Sequence, residues 1–396
     1  MSNKSNLMNR KLIWDDTIPI DFPLTDNISN ARNCVMDGLI VWKGNKLDYK
    51  YLKSVDEGVR DEIAKDLLNY FLDYDFSKFN IEKKNIDRDW VSLCTAPVSI
   101  KEIDGSKQIS NMASTGNKIY KYFFPNILKI STDNKISVYD ALRDKKILFD
   151  IIRNRVGNTL LYNNKGKEAR QWPMSISARQ MIQGAKCSGL ASVGSIFKPV
   201  VAKTIYNYWV KPGDIVYDYS CGFGGRLLGL KCLNHNNRYI GAEPNTETYN
   251  NLKAMTNYFK WDGVDIINMG SEDIELNNIN FAFSSPCYFD KEKYCSEGSQ
   301  CYIRYGQYDE WLEEYWRKTV KNIKKMLVKG GIFGVNIGND SNDFMRKIAK
   351  DFKGVIEQEG FGLKEVWWMR TSRSHLSNKK KSQILTKPEG IYFYGK

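Results

Sequence analysis

The chain has 396 residues, 42% of them hydrophobic, and a formal net charge of +13 from 59 Lys+Arg against 46 Asp+Glu. That is apolar material for a sizeable core and too much chain for one average domain, so two domains are expected. The positive surplus favours a polyanionic partner, nucleic acid first, although an AT-biased coding sequence would also raise Lys, Asn, Ile and Tyr.

In chain order, residues 1–175 show no clean alternation of strand and helix and read as an α+β module. Leu52–Phe71 carries Val59, Ile63, Leu67, Leu68 and Phe71 at helical spacing. Tyr120–Ile130, Ser137–Leu142 and Ile147–Arg155 are mixed apolar segments. Arg143-Asp144-Lys145 and Asn163-Asn164-Lys165-Gly166 look like turns, the second of hairpin character. Met174–Ile196, rich in Ser and Gly, reads as a junction of loop formers leading into the second domain, 176–396.

Pro199 suits the first turn of a helix reaching about Val210. Pro212-Gly213 ends it, and Ile215–Asp218 forms a short strand. A glycine-rich turn follows, Ser220-Cys221-Gly222-Phe223-Gly224-Gly225, whose glycines let backbone approach a ligand closely. A helix starting near Gly225 would aim its N–H groups at that ligand. The alternation is then regular. Strands are expected at Arg238–Ala242, Val264–Asn268, Asn280–Phe283, Ile332–Ile337, Phe361–Trp368 and Ile391–Tyr394. Helices are expected at Thr246–Phe259, Tyr308–Val328 and Asp343–Gly360. This pattern predicts a doubly wound, mostly parallel α/β sheet, which binds ligands at the carboxyl ends of its strands. Asp218, Glu243, Ser271 and Ser285-Pro286 all fall there. Glu243 stands where a ribose-binding carboxylate is expected after a glycine turn. No Gly-Lys-Ser/Thr follows the turn, which excludes a phosphate loop.

The second chemical element is Ser284-Ser285-Pro286-Cys287-Tyr288-Phe289. Here the chain resembles class I S-adenosylmethionine-dependent methyltransferases, most nearly the DNA amino-methyltransferases of phage and bacteria. Their motif, Asp/Asn/Ser-Pro-Pro-Tyr/Phe, follows the fourth strand. Ser285, Pro286 and Tyr288 match it, and Cys287 replaces the second proline. Asp218–Leu228 is similar to the cofactor loop of phage-encoded members, and Phe197-Lys198-Pro199 to the segment before it. The resemblance covers 197–396. It implies a seven-stranded Rossmann-like methyltransferase sheet, DNA ahead of RNA as the partner, and S-adenosylmethionine held by Asp218, Ser220, Gly222, Gly224 and Glu243. Ser271 or Glu272 would lie near the cofactor adenine.

The residue chemistry suits that implication. An exocyclic amine of adenine or cytosine is a poor nucleophile because its lone pair is delocalised. The Ser285 hydroxyl and the Pro286 carbonyl can accept its N–H groups, and Tyr288 offers a face to a flipped-out base. Positioning and electrostatics would supply most of the catalysis. Cys287 leaves two further readings open. Pro286-Cys287 fits the nucleophile of a pyrimidine carbon-5 methyltransferase, although no Glu-Asn-Val partner is found. A catalytically weakened nucleic-acid-binding module is the other.

Candidate nucleic-acid contacts are Arg304, within an aromatic stretch from Phe289 to Tyr315, and the basic loop carrying Arg370, Arg373, Lys379, Lys380 and Lys381. The α+β module is the candidate for target recognition. With 2 His and no Cys-x-x-Cys among its 8 Cys, the chain predicts no metal site. The polar start Met1–Asn6 and the absence of disulfide-framework spacing predict a cytoplasmic protein, in a bacterium or a phage-infected cell, with no membrane partner.

Overall fold

The computed structural model describes residues 56–72, 74–76, 81–103, 105–111, 113–132, 134–156, 178–187, 189, 191–192, 194–338, 342–370 and 389–396, with strand backbone at 13–14, 34–36, 39–43 and 46–47. The chain divides into two compact units. One is Met1–Ile81 with Pro125–Gly194, the other Glu82–Phe124 with Ser195–Lys396. A single cut near residue 175 is therefore replaced by an exchange. Residues 82–124 join the second unit, and 176–194 join the first.

The first unit is built on the helix Glu57–Leu72, which buries Val59, Ile63, Leu67, Leu68 and Phe71, as their spacing predicts. Arg153, on the helix Lys145–Arg155, donates to both carboxylate oxygens of Asp61 at 2.6 and 3.1 Å. Asp144, in the expected turn, caps that helix by accepting from the Ile147 amide at 2.9 Å. The junction expected to be loop contains the helix Ala178–Cys187. Its Met181, Ile182 and Ala185 are buried. A Cβ on Gly184 would lie 2.7 Å from Ile151 Cγ2, so here glycine marks close packing rather than a loop. The hairpin expected at 163–166 lies outside the described residues.

The second unit is a nine-stranded sheet. In chain order its strands are β1 (Ile100–Ile103), β2 (Ser106–Ser110), β3 (Ile215–Asp218), β4 (Arg238–Ala242), β5 (Val264–Ile267), β6 (Ile279–Ser284), β7 (Leu327–Ile337), β8 (Gly362–Arg370) and β9 (Glu389–Gly395). The order across the sheet is β5-β4-β3-β6-β7-β9-β8-β2-β1. β5 through β7 run parallel, and β9 is antiparallel to both β7 and β8. This is the expected doubly wound, mostly parallel Rossmann-like sheet, with β1 and β2 added to the expected seven strands. β2 pairs parallel with β8, and that non-local pairing brings 82–124 into this unit. The helix Lys83–Thr95 is fastened there too: Lys203 Nζ donates to the carbonyls of Leu93, Cys94 and Ala96 at 3.1, 2.7 and 2.7 Å.

Central strands are buried on both faces and read as apolar runs, such as Ile279-Asn280-Phe281-Ala282-Phe283. Helices Thr246–Phe259 and Asp343–Gln358 start on asparagine caps, with Asn245 accepting from Thr248 N and Asn342 from Met345 N, each at 2.9 Å. One layer of the core joins Tyr219, Trp311, Trp316, Phe333 and Phe352. Strand order reverses between β3 and β6, so their carboxyl ends open the crevice where such sheets bind ligands. Among the described residues no helix is long and apolar enough to cross a membrane.

Candidate active site

The loop after β3 is set from below. Asp218 is fully buried, and its Oδ2 accepts from Arg226 Nε and from the Tyr239 hydroxyl, both at 2.7 Å. Its Oδ1 accepts from Ser284 Oγ at 2.7 Å. Arg226 also donates to the Ser220 carbonyl. The sequence suggests Asp218 as a cofactor ligand, but the structure commits its carboxylate to holding the loop. Arg226, Tyr239 and Ser284 escape sequence reasoning. Only the arginine leaves a trace, as a charge inside the apolar run Leu227-Leu228.

The glycines divide into packing and approach positions. A Cβ on Gly225 would lie 1.9 Å from the Phe197 carbonyl oxygen. One on Gly224, at φ 71°, would lie 2.7 Å from Met255 Cε. Gly222 has φ 51°, and a Cβ there would meet nothing nearer than the Ser220 carbonyl at 3.9 Å. Gly222 is thus the half-buried, uncrowded backbone of the turn, and Gly225 fixes where it sits. The helix that follows, Gly225–Lys231, has its first turn buried.

Glu243, after β4, is buried. Its Oε1 accepts from the Asn245 amide at 2.9 Å, and the Gly222 backbone also donates to the carboxyl. Burial raises this carboxyl to about 7, outweighing those hydrogen bonds. A carboxylate has about four acceptor sites, so two remain for a diol. Ser271 Oγ is spent on Thr319 Oγ1, 2.8 Å away in the core. Glu272 instead keeps an acceptor: Oε1 meets Arg304 and the Tyr305 hydroxyl at 3.2 and 3.3 Å, while the buried Oε2 has no partner among the described residues. Burial raises this carboxyl as well. A half-buried, uncrowded glycine backbone, a buried carboxylate with two free acceptor sites and an orphaned acceptor one strand further could together hold a nucleoside-bearing cofactor.

The turn after β6 lies across the crevice. Ser285 Oγ lies 3.4 Å from the Tyr288 hydroxyl and accepts from Asn336 Nδ2 at 3.4 Å. The Tyr288 hydroxyl donates to the Asn336 carbonyl at 3.1 Å and accepts from the Gly338 amide at 2.7 Å. Its ring stacks on Phe352 with centroids 6.0 Å apart. Phe289 closes the turn at φ 55°, a conformation rare for a non-glycine and frequent at functional sites.

Cys287 faces away from reactivity. Its Sγ donates to the Phe289 carbonyl at 3.3 Å and accepts from Cys301 Sγ at 2.7 Å. The Cys301 hydrogen bond and burial together raise its thiol well above the usual range, opposite to what a thiolate nucleophile requires.

Tyr315 joins the two halves. Its hydroxyl accepts from the Cys287 amide at 3.2 Å and lies 3.4 Å from Ser220 Oγ. It belongs to a π-helical insertion, Leu312–Arg317, inside the helix expected at 308–328. Such insertions frequently mark functional sites. Helical periodicity places Tyr315 on a core face, which is correct, and gives no sign of the hydroxyl's use.

Of the expected nucleic-acid contacts, Arg304 is committed to Glu272 and Asp273. Arg370 ends β8. Its side chain, with Arg373, Lys379, Lys380 and Lys381, lies outside the described residues. In the aromatic stretch Tyr305, Trp311 and Tyr315 are core, while Phe289, Tyr294, Tyr302 and Tyr308 are half-buried. Among the described residues no cluster of His, Cys, Asp or Glu could hold a metal ion.

No family model matches the chain, and no curated protein matches it. Solved structures do. A methyltransferase from Pyrococcus furiosus is 14% identical with a TM-score of 0.36, over 51% of this chain and 84% of that one. A TehB-like SAM-dependent methyltransferase from Corynebacterium glutamicum is 12% identical with a TM-score of 0.34, over 51% and 90%. A fibrillarin from Aeropyrum pernix, with natively bound S-adenosyl-L-methionine, is 12% identical with a TM-score of 0.31, over 50% and 74%. At such identities and scores the reaction has to be argued from this chain's own residues.

Proposed function

We propose that the chain is an S-adenosylmethionine-dependent DNA methyltransferase acting on an exocyclic amino group, adenine ahead of cytosine. The observation that carries the reading is the Tyr315 hydroxyl, within hydrogen-bond reach of both the glycine loop at Ser220 and the Ser-Pro-Cys-Tyr turn at Cys287. It couples a nucleoside-type loop and an amine-type turn across one crevice.

Gly222 offers backbone to the cofactor, Glu243 accepts its ribose hydroxyls, and Glu272 Oε2 accepts the amine of its adenine. When bound, the cofactor supplies an electrophilic methyl group on a sulfonium. Ser285 Oγ and the Pro286 carbonyl accept the N–H groups of the target amine and turn its lone pair toward the cofactor side. Tyr288 is anchored through its hydroxyl and flanks the base with its ring. No proton transfer by a histidine is needed, because orientation and fixed dipoles supply the acceleration. The raised, hydrogen-bonded thiol of Cys287 weighs against the carbon-5 reaction.

Nucleic acid as partner rests on the net charge of +13 and on the Arg370–Lys381 segment. Target reading falls to the first unit. A cytoplasmic site of action fits the expected reduced thiols.

The test is transfer of a labelled methyl group to DNA, and separately to RNA, followed by nucleoside mass spectrometry. Label on an exocyclic nitrogen of DNA is expected. Label on a pyrimidine ring carbon would overturn the reaction, and label on RNA alone would overturn the substrate.

A further inference from the structure

β9 is antiparallel to β7, so its first residues lie at the edge that carries the Ser285 turn. Asn336 pairs with Ile391 and Ile337 with Gly390. Alternation then puts Glu389 on the same face as Ile391 and its partner Asn336. Asn336 is 5% exposed, and its Nδ2 approaches Ser285 Oγ at 3.4 Å. Its side-chain amide also hydrogen-bonds the Glu389 carboxyl. Its Oδ1 has no partner among the described residues. A buried amide oxygen left unmet is a cost to the fold that a donor can relieve. The neighbouring Ser285 oxygen has the Tyr288 hydroxyl and the Asn336 amide as its two long contacts. The turn therefore holds one acceptor with two long contacts and, beside it, one with none among the described residues.

Resting on the amino-methyltransferase reading, we propose that Asn336 Oδ1 shares with Ser285 Oγ one N–H of the target amine, the other going to the Pro286 carbonyl, and selects amino-bearing bases over oxo-bearing ones, with Glu389 as the positioning residue that fixes the amide. Burial raises the Glu389 carboxyl above its ordinary value, with the Asn336 hydrogen bond working against this; when ionised the carboxylate can only accept, so it draws Nδ2 toward itself and leaves Oδ1 unspent. Adenine and cytosine present a donor to that oxygen. Hypoxanthine and uracil present an oxygen, and the two acceptors repel.

The probe is a single-stranded DNA oligonucleotide with one central adenine, against the same strand carrying hypoxanthine, and a cytosine strand against its uracil counterpart. Binding is read by fluorescence anisotropy without methyl donor. The native chain is expected to prefer the amino base about tenfold. Asn336→Ala should bring the ratio close to one. Glu389→Gln should lower the ratio, because a glutamine amide can donate to Oδ1 and compete with the base. Should Asn336→Ala fail to fold, by circular dichroism, Glu389→Gln carries the same readout. A folded Asn336→Ala or Glu389→Gln chain that keeps the native ratio overturns this inference alone. A native ratio of one overturns it too, and if DNA also takes no label from the methyl donor, the parent reading falls with it.

Discussion

The loop after β3 and the turn after β6 face one crevice, yet they are built to opposite standards. In the loop, three side chains converge on Asp218 at 2.7 Å, and the glycines at 224 and 225 are packed to the limit. In the turn, Ser285 has only contacts of 3.4 Å, Asn336 keeps an unmet oxygen, and Phe289 holds a left-handed backbone. A satisfied loop is fixed before any ligand arrives. An under-satisfied turn stores polar capacity for a substrate to complete. On the proposed reading, the preorganised half takes the cofactor and the other discriminates among targets.

Breaking the loop should be expensive. Asp218→Ala leaves the buried Arg226 guanidinium without its partner, and a loss of about 3–5 kcal/mol in urea unfolding is expected. A chain that keeps its native midpoint would show that the pair does not set the loop.

Glu243 gives a pH signature. Its carboxyl lies at about 7 in the folded chain against an ordinary value of 4.5. The folded state therefore holds the proton more tightly, and stability falls as pH rises from about 4.5 to about 7, by roughly 3 kcal/mol at most. Cofactor binding should run the other way. Ribose hydroxyls donate best to the ionised form, so calorimetry should find several-fold tighter binding at about pH 8 than at about pH 6, with proton release. Glu243→Gln should flatten both profiles.

Gly225→Ala should cost about 1–3 kcal/mol, because a backbone oxygen stands where the new methyl would go. Gly222→Ala meets no neighbour but strains a left-handed backbone at φ 51°, so its loss should be about 1 kcal/mol, at or below the lower end of the Gly225→Ala range, while cofactor affinity falls. Reversed ranks in thermal unfolding would refute the division into packing and approach glycines. Tyr315→Phe removes the hydroxyl that couples loop and turn. About 1 kcal/mol of stability should be lost, with a larger fall in turnover than in cofactor affinity.

The same contrast explains what could be read from the sequence. The strands and helices from Pro199 onward are legible because buried parallel strands and capped helices carry local signals: Arg238–Ala242 and Thr246–Phe259 fall where expected. The glycine turn and the Ser-Pro-Cys-Tyr turn are legible as contiguous motifs. The allocation of Asp218 is not, because its partners come from Arg226, Tyr239 and Ser284, which only the fold brings together. Tyr315 and Asn336 are invisible for the same reason, their use depending on a π-helical insertion and on strand register. The boundary near 175 fails because β2 pairs with β8 across more than half the chain, and pairing at such separation leaves no local trace.

The smallest expected effect gives the most direct test. In Cys287→Ala the account predicts stability within about 1 kcal/mol of the native chain and retained methyl transfer, with nucleoside mass spectrometry placing the label on the exocyclic nitrogen of adenine or cytosine. Loss of transfer in this variant, with label on ring carbon 5 of a pyrimidine in the native chain, would contradict it.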